Sequence, residues 1–374
     1  MTPGDMVGRQ MNLAVAFAPR VERLGLALEP NGDPTEAEGA LNPACARTRD
    51  GRLFMYPRDV AKGNISRVGL VEGIADGEKF RFERRGFALE PQAEYELRPA
   101  PGYGCEDPRV TFIPRIDKYV MAYTAFGPQG PRIALAISDD GIAWTRLGIA
   151  KFEKPGMHIG DDKDAAFFPE PVISPAGVES LAFYHRPMLH LSAVDGRAAI
   201  PMIERLPFED RESIRLAYVP LAPVLQDVTN LLDVSESVLV LPPDGNWGSL
   251  KIGAGTPPVR IDEGWMSVFH AVDVIDTSGI KPKMRYSAGI VIHDLEQPHK
   301  VLYRSPEPVL APTTATELRG IVDNVVFPTG IDPRSDLGER VFDLYYGMAD
   351  WSIGAARLSL EDAQDENEAA ESAA

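Results

Sequence analysis

The chain has 374 residues, 44% of them hydrophobic, and a formal net charge of −17 at pH 7. This length allows two or three domains or one long β-rich unit, and the negative balance works against nucleic acid and anionic membranes as partners. No apolar run approaches the ~18 residues needed to cross a bilayer, and two cysteines are too few for a disulfide framework, so a reducing cytoplasm is the expected compartment.

Taken from the N-terminus, MTPGDMVGRQ lacks a basic stretch ahead of an apolar one, so no secretory leader is expected. NPACA (42–46) then leads into RLFMYPRD (52–59) and ISRVGLVEG (65–73). The same order returns in EDPRVTFI (106–113), KYVMAYTAFG (118–127) and RIALAISDDGIAW (132–144). KDAAFFPE (163–170), SLAFYHRP (180–187) and SIRLAYVPL (213–221) make a third copy, separated in part by the insert 190–213. A fourth copy runs through KIGAGTPPV (251–259), WMSVFHAVD (265–273) and RYSAGIVIHD (285–294), and a fifth through DNVVFPTG (323–330), VFDLYYGMAD (341–350) and SIGAARLSLED (352–362). Beyond residue 360 the chain is acidic and Ala-rich, the composition of a solvated, disordered tail over 361–374.

Short strands between Gly- and Pro-rich turns predict an all-β chain. A motif of three apolar strands written five times predicts a five-bladed β-propeller over residues 1–360 as one domain; two packed β-sandwiches are the alternative. In a propeller the first strand of each blade lines a central channel. The leading elements carry Asn42, Glu106 with Asp107, Lys163 with Asp164, Lys251, and Asp323 with Asn324, and the following strands end at Arg58, Thr124, Arg186, His270 and Asp350. A core-building sequence would place apolar groups there, so a charged funnel is expected. Strand alternation predicts that Glu106 and Asp107 face opposite ways, with Asp107 on the side of Arg109. EDPR then reads either as an ion-paired strand start or as a site for proton chemistry, since an arginine neighbour lowers a carboxyl pKa. The cations Lys163, Arg186 and His270, with Arg58 and Lys251 near them in the repeat register, suit an oxyanion. Tyr103, Tyr123, Tyr184, Phe269, Tyr286 and Tyr346 lie close by, as sugar platforms or as packing between blades.

Other chemistries find no support. KIGAGTPPV lacks the P-loop pattern, no serine sits in a G-x-S-x-G elbow, and the histidines show no zinc-type spacing, so no metal is expected.

NPAC, EDPRV, YTAFG, KDAAFFPE, HRP, KIGAGTPPV, GWMSVFHAV, NVVFP and YYGMAD, in that order over about residues 40–360, resemble glycoside hydrolase family 130, the β-mannoside phosphorylases and related β-mannosidases. The resemblance implies a five-bladed propeller and an inverting reaction at a β-mannosidic bond, without a cofactor and with inorganic phosphate as co-substrate. It implies Asp107 as general acid, acting through a mannose hydroxyl. Asn42, Arg58, Lys251, Tyr286 and Asp350 would contact the sugar, and Arg186 and His270 the phosphate. Lys163-Asp164 departs from the Arg-Asn of many members: Lys163 keeps the charge without the bidentate fork, and Asp164 adds a negative group. The expected activity is phosphorolysis of short β-mannosides to mannose 1-phosphate, with phosphate held by Lys163, Arg186 and His270, and a homo-oligomer is possible. The alternatives are an inverting β-mannosidase with Glu170 or Glu263 as base, and a non-catalytic sugar-binding propeller. The insert 190–213 is expected either to shape the acceptor side or to shield a blade edge.

Overall fold

The computed structural model describes residues 17–152, 157, 160–189, 196–279 and 281–362. Within them the chain is all-β with three short helices, α1 (Gly196–Glu204), α2 (Leu221–Gln226) and α3 (Ala315–Leu318). None of these is long and apolar enough to cross a membrane. Of the tail expected over 361–374, Glu361 and Asp362 instead belong to a strand, paired with Ala18 and Phe17, and the rest lies outside the described residues.

Each sequence repeat is an antiparallel meander. Strand β1 (Phe17–Leu28) opens the chain but belongs to the last of them. The first comprises β2 (Ala40–Arg47), β3 (Leu53–Ala61), β4 (Ile65–Asp76) and β5 (Lys79–Leu89). The second comprises β6 (Tyr103–Ile113), β7 (Lys118–Gly127), β8 (Gly130–Ser138) and β9 (Thr145–Ile149). It joins the first through a brief parallel contact, Ile65 with Tyr103 and Ser66 with Gly104. In the third, β10 (Asp162–Phe167) and the short β11 (Val172–Ile173) both pair with β12 (Glu179–Pro187), which continues to β13 (Ile214–Pro220) and β14 (Glu236–Leu241). In the fourth, β15 (Lys251–Gly253) and β16 (Val259–Ile261) flank β17 (Gly264–Asp276), followed by β18 (Lys283–His293) and β19 (Val301–Arg304). The last contains β20 (Val326–Pro333), β21 (Val341–Met348) and β22 (Ser352–Asp362), and β1 completes it against β22 in a register running from Phe17–Asp362 to Leu28–Ile353.

The central strands carry apolar residues at consecutive positions because both of their faces are buried, and successive side chains serve different cores. On β7, Val120 packs with Phe167 and Phe183 of the third meander, while Tyr119 and Met121 pack with Phe54 and Val68 of the first. On β12, Phe183 turns towards the second meander and Tyr184 towards Trp265 and Phe269 of the fourth. Val268 and Ile290 meet Val326 and Leu344 of the last, and Tyr345 and Ile353 meet Leu53 and Met55 of the first. Every meander thus shares one core with its predecessor and one with its successor, the last being joined to the first. Each fully buried side chain of this kind contributes about 1.5–3 kcal/mol.

The leading strands share a backbone feature that positions the polar residues. Asn42, Asp107 and Asp164 adopt left-handed φ values of 44°, 46° and 61°. Each sits within a register shift, at Leu41/Ala44, Glu106/Arg109 and Lys163/Ala166. Asn324, just ahead of β20, has φ 61°. Asn and Asp are the non-glycine residues that tolerate this region best, and a bulge redirects the side chain it carries.

Candidate active site

The bulge on β6 overturns the alternation expected for EDPR. Glu106 and Asp107 do not face apart: Arg58 on β3 donates to Glu106 Oε1 at 3.0 Å and to Asp107 Oδ1 at 3.2 Å. Alternation fails because an extra residue at φ 46° turns Asp107 back onto the side of Glu106. Arg109 is not the partner of the Asp107 carboxylate either. Its fully buried guanidinium donates to the Asp107 carbonyl at 3.1 Å, and to the carbonyls of Gly255 and Ala254 at 3.0 and 2.8 Å. Arg109 therefore locks the strained turn at Asp107 and ties the second meander to the fourth.

Two groups of residues surround this point. In the first, Asn42 Nδ2 donates to Asp107 Oδ1 at 2.9 Å and Lys163 Nζ reaches Glu106 Oε2 at 3.2 Å. Arg58 is braced by Ser66 Oγ at 2.9 Å and Asn64 Oδ1 at 3.1 Å. Burial pushes the Asp107 carboxyl up, but the charges of Arg58, Lys163 and Arg109 outweigh it and hold the group below the usual carboxylate range. Asp350, after β21, goes the other way. Burial raises it and Arg58 opposes, while the negative charges of Asp107 and Glu106 add to burial and bring it to about 6. Arg58 and Lys163 are two cations for the three carboxylates Glu106, Asp107 and Asp350, and Asp350 is the one held above the usual carboxylate range.

This gives a testable sign. A carboxyl raised in the folded state costs stability above its unfolded value near 3.8, in full once pH passes about 6. Asp350→Asn is expected to raise Tm at pH 7 by a few degrees, with the gain vanishing below about pH 4; melting curves at both pH values check it.

In the second group, Arg186 on β12 donates through Nε to Asp164 Oδ2 at 2.7 Å and through Nη1 to Glu212. His270 Nε2 lies 3.6 Å from Asp164 Oδ2, and Arg109 Nη2 lies 3.5 Å from Asp164 Oδ1. Burial and the neighbouring cations Arg186, Arg109 and Lys251 push His270 down to about 3 against the pull of Asp164, so its imidazole is neutral. Burial raises Asp164, yet the charges of Arg186 and Arg109 hold it well below the carboxylate range. The His270 ring packs tilted against Phe327, 4.2 Å between centroids, and Tyr286 lies more nearly parallel to the same imidazole at 6.4 Å. Lys251 Nζ sits 5.6 Å from the Tyr286 ring. Gly253 on β15 makes this packing possible: a Cβ there would come within 2.3 Å of Asp164 Oδ2 and 2.5 Å of His270 Nε2.

The three cations expected around phosphate are thus divided. Arg186 and His270 share Asp164, whereas Lys163 turns to Glu106. The two groups meet at Arg109, which touches the Asp107 carbonyl on one side and Asp164 on the other. Of the residues expected in the funnel, Asn42, Arg58, Asp107, Lys163, Asp164, Arg186, Lys251, His270, Tyr286 and Asp350 all belong to one of them. The aromatics divide further: Tyr123 donates to Glu96 at 2.6 Å and Tyr346 to Glu317 at 3.0 Å, as packing residues with satisfied hydroxyls. Glu170 and Glu263, named for a hydrolytic base, pair with Arg260 at 2.8 Å and Arg340 at 2.6 Å and, among the described residues, bond to none of those of the site. Glu212 was not anticipated. It ends the insert 190–213, whose residues 190–195 lie outside the described part, and no periodicity marks it. A cleft of about 390 Å³ opens beside it, lined in part by Pro187, Ser213 and Arg215.

A family model described as "beta-1,4-mannooligosaccharide phosphorylase" matches residues 18–203 and 228–365. A 1,2-beta-oligomannan phosphorylase of a Thermoanaerobacter species is 32% identical over 302 residues, 80% of each chain. A beta-1,2-mannobiose phosphorylase of the same source is 30% identical over 266 residues, 70% of this chain and 69% of that one. Among solved structures, a β-1,2-mannobiose phosphorylase from Listeria innocua in complex with β-1,2-mannobiose overlays with a TM-score of 0.65 at 21% identity. That overlay covers 91% of this chain and 96% of the other, a likeness of fold. On the family match and the identity to these relatives, the chain belongs to glycoside hydrolase family 130.

Proposed function

We propose that the chain is a five-bladed β-propeller that cleaves short β-mannosides with inorganic phosphate, with inversion, to give mannose 1-phosphate. The fold reading is supported by the cyclic sharing of cores and by β1 closing the last meander against β22. The activity is supported by the names of the relatives, all phosphorylases of β-mannosides or manno-oligosaccharides.

The single observation that carries the mechanism is the pairing of an acid with a separate cation cluster. Asp107, held by Asn42 and Arg58, is the proposed general acid, delivering its proton by way of a mannose hydroxyl. Asn42, Arg58, Lys251, Tyr286 and Asp350 hold the sugar. Phosphate, bound by Arg186 and His270 with Lys163 adding charge, attacks the anomeric carbon from the face opposite the leaving group. Its oxygen is already nucleophilic, so the second carboxylate of an inverting hydrolase has no task. The reaction needs no metal or organic cofactor, and two buried free cysteines, Cys45 and Cys105, suit work in a reducing cytoplasm.

One observation favours a second reading, hydrolysis: Arg186 already carries two carboxylates, Asp164 and Glu212, and Glu212 could receive a proton from water. Incubation with β-1,2- and β-1,4-mannobiose, with and without phosphate, separates the two. Mannose 1-phosphate is expected only with phosphate, and a turnover at least about 10²-fold slower without it. Equal rates in phosphate-free buffer would overturn the phosphorylase reading.

A further inference from the structure

Asp164 is the feature of the cation cluster that an anion site would least be expected to contain. It is fully buried, yet it occupies the centre of the group: Arg186 Nε at 2.7 Å, Arg109 Nη2 at 3.5 Å and His270 Nε2 at 3.6 Å all surround it. The left-handed turn at φ 61° and the missing side chain of Gly253 hold it there. Any oxyanion drawn in by Arg186 and His270 therefore meets a fixed negative charge.

Two further facts show how the conflict is resolved. An ionised carboxylate only accepts hydrogen bonds, and its two oxygens offer about four acceptor positions. The Asp164 carboxylate uses one of them strongly, on Arg186, and keeps acceptor capacity in reserve. His270 Nδ1, also buried, has no hydrogen-bond partner. A ligand that completes this arrangement must bring an acidic O–H for Asp164 as well as negative oxygens for Arg186.

We infer, resting on the phosphorylase reading, that Asp164 makes this cradle selective for an oxyanion that still carries a proton, accepting the P–OH of phosphate and repelling sulfate. Phosphate and arsenate retain at least one acidic O–H at neutral pH, whereas sulfate has none and would press an unprotonated oxygen against the carboxylate. An unpaired buried acceptor facing a like charge is strongly disfavoured. Asn in place of Asp164 removes the charge and can donate through its amide, so it welcomes either anion. The lysine beside it adds charge without adding this discrimination, since its Nζ is turned to Glu106.

The test is calorimetric titration of the full chain with phosphate, arsenate and sulfate, for the wild type and Asp164→Asn. The wild type is expected to bind phosphate and arsenate at least about 30-fold more tightly than sulfate, and the variant to bring sulfate within about 3-fold of phosphate. Sulfate as an inhibitor of wild-type phosphorolysis gives the same information if the variant does not fold: no competition at concentrations where arsenate competes supports the inference. Sulfate that binds or inhibits the wild type as well as arsenate does, or a variant with unaltered discrimination, overturns it while phosphate-dependent turnover leaves the phosphorylase reading in place. No oxyanion binding, together with cleavage in phosphate-free buffer, overturns both.

Discussion

Asp107→Asn is expected to lower turnover of a β-mannobiose by about 10³-fold, the middle of the range for a lost general acid, with little change in sugar affinity. The substitution isolates the proton. Asn tolerates the φ of 46° that Asp107 adopts, and its amide oxygen can still accept from Asn42 Nδ2 and Arg58 Nη1. An aryl β-mannoside whose phenolate leaves without protonation should lose far less, because that bond breaks without an acid. Steady-state kinetics on the two substrates check this. Equal losses on both would mean that Asp107 orders the site rather than protonating the leaving group. In the free protein three positive neighbours keep Asp107 ionised. A bound mannoside that displaces water from it favours the neutral form, as burial already does at Asp350, which it raises to about 6.

Arg58→Met is expected to cost about 3–5 kcal/mol of stability at pH 7, the usual consequence of removing one partner from a buried ion cluster. Arg58 serves Glu106, Asp107, Asn64 and Ser66 at once, and its side chain is only 13% exposed, so solvent cannot replace it. The pH dependence identifies the cause. In the wild type Asp107 lies below its ordinary value, so its contribution is present above that value and lost as pH falls through the folded one. Without Arg58 the remaining carboxyls are raised, and they cost stability as pH rises above the unfolded values. The difference between variant and wild type should therefore be greatest at pH 7 and narrow below about pH 4. Denaturant unfolding at both pH values measures it; a difference independent of pH would assign the loss to packing of the arginine stem.

Much of the architecture was legible because the central strands are buried on both faces. SLAFYHRP and VFDLYYGMAD carry apolar residues at consecutive positions (Leu181–Tyr184 and Leu344–Tyr346) rather than at alternate ones, and that pattern repeats five times. The outer strands were not so marked. β5 is rich in charge and partly exposed along most of its length, and β1 mixes charged with apolar residues without a strict period and pairs with strand β22 at the far end of the chain. Site residues were legible where they recur at equivalent places, as with Asn42, Asp107 and Asp164. Their directions were not, since strand alternation holds only until a bulge adds a residue. In EDPR the aspartate ahead of a proline was the local sign of that bulge. The division of the cations followed from the same cause: neighbours Lys163 and Asp164 part company at a turn, one to Glu106 and the other to Arg186. Glu212 had no sequence signal at all, because only the return of a long insert brings it to Arg186.

The central claim is that an acid and an oxyanion act on one anomeric carbon from opposite faces. Proton NMR of the mannobiose reaction in phosphate buffer tests it most directly, because the first-formed sugar phosphate keeps its anomeric configuration. The account predicts α-mannose 1-phosphate from the β-linked substrate. β-Mannose 1-phosphate as the initial product would contradict it.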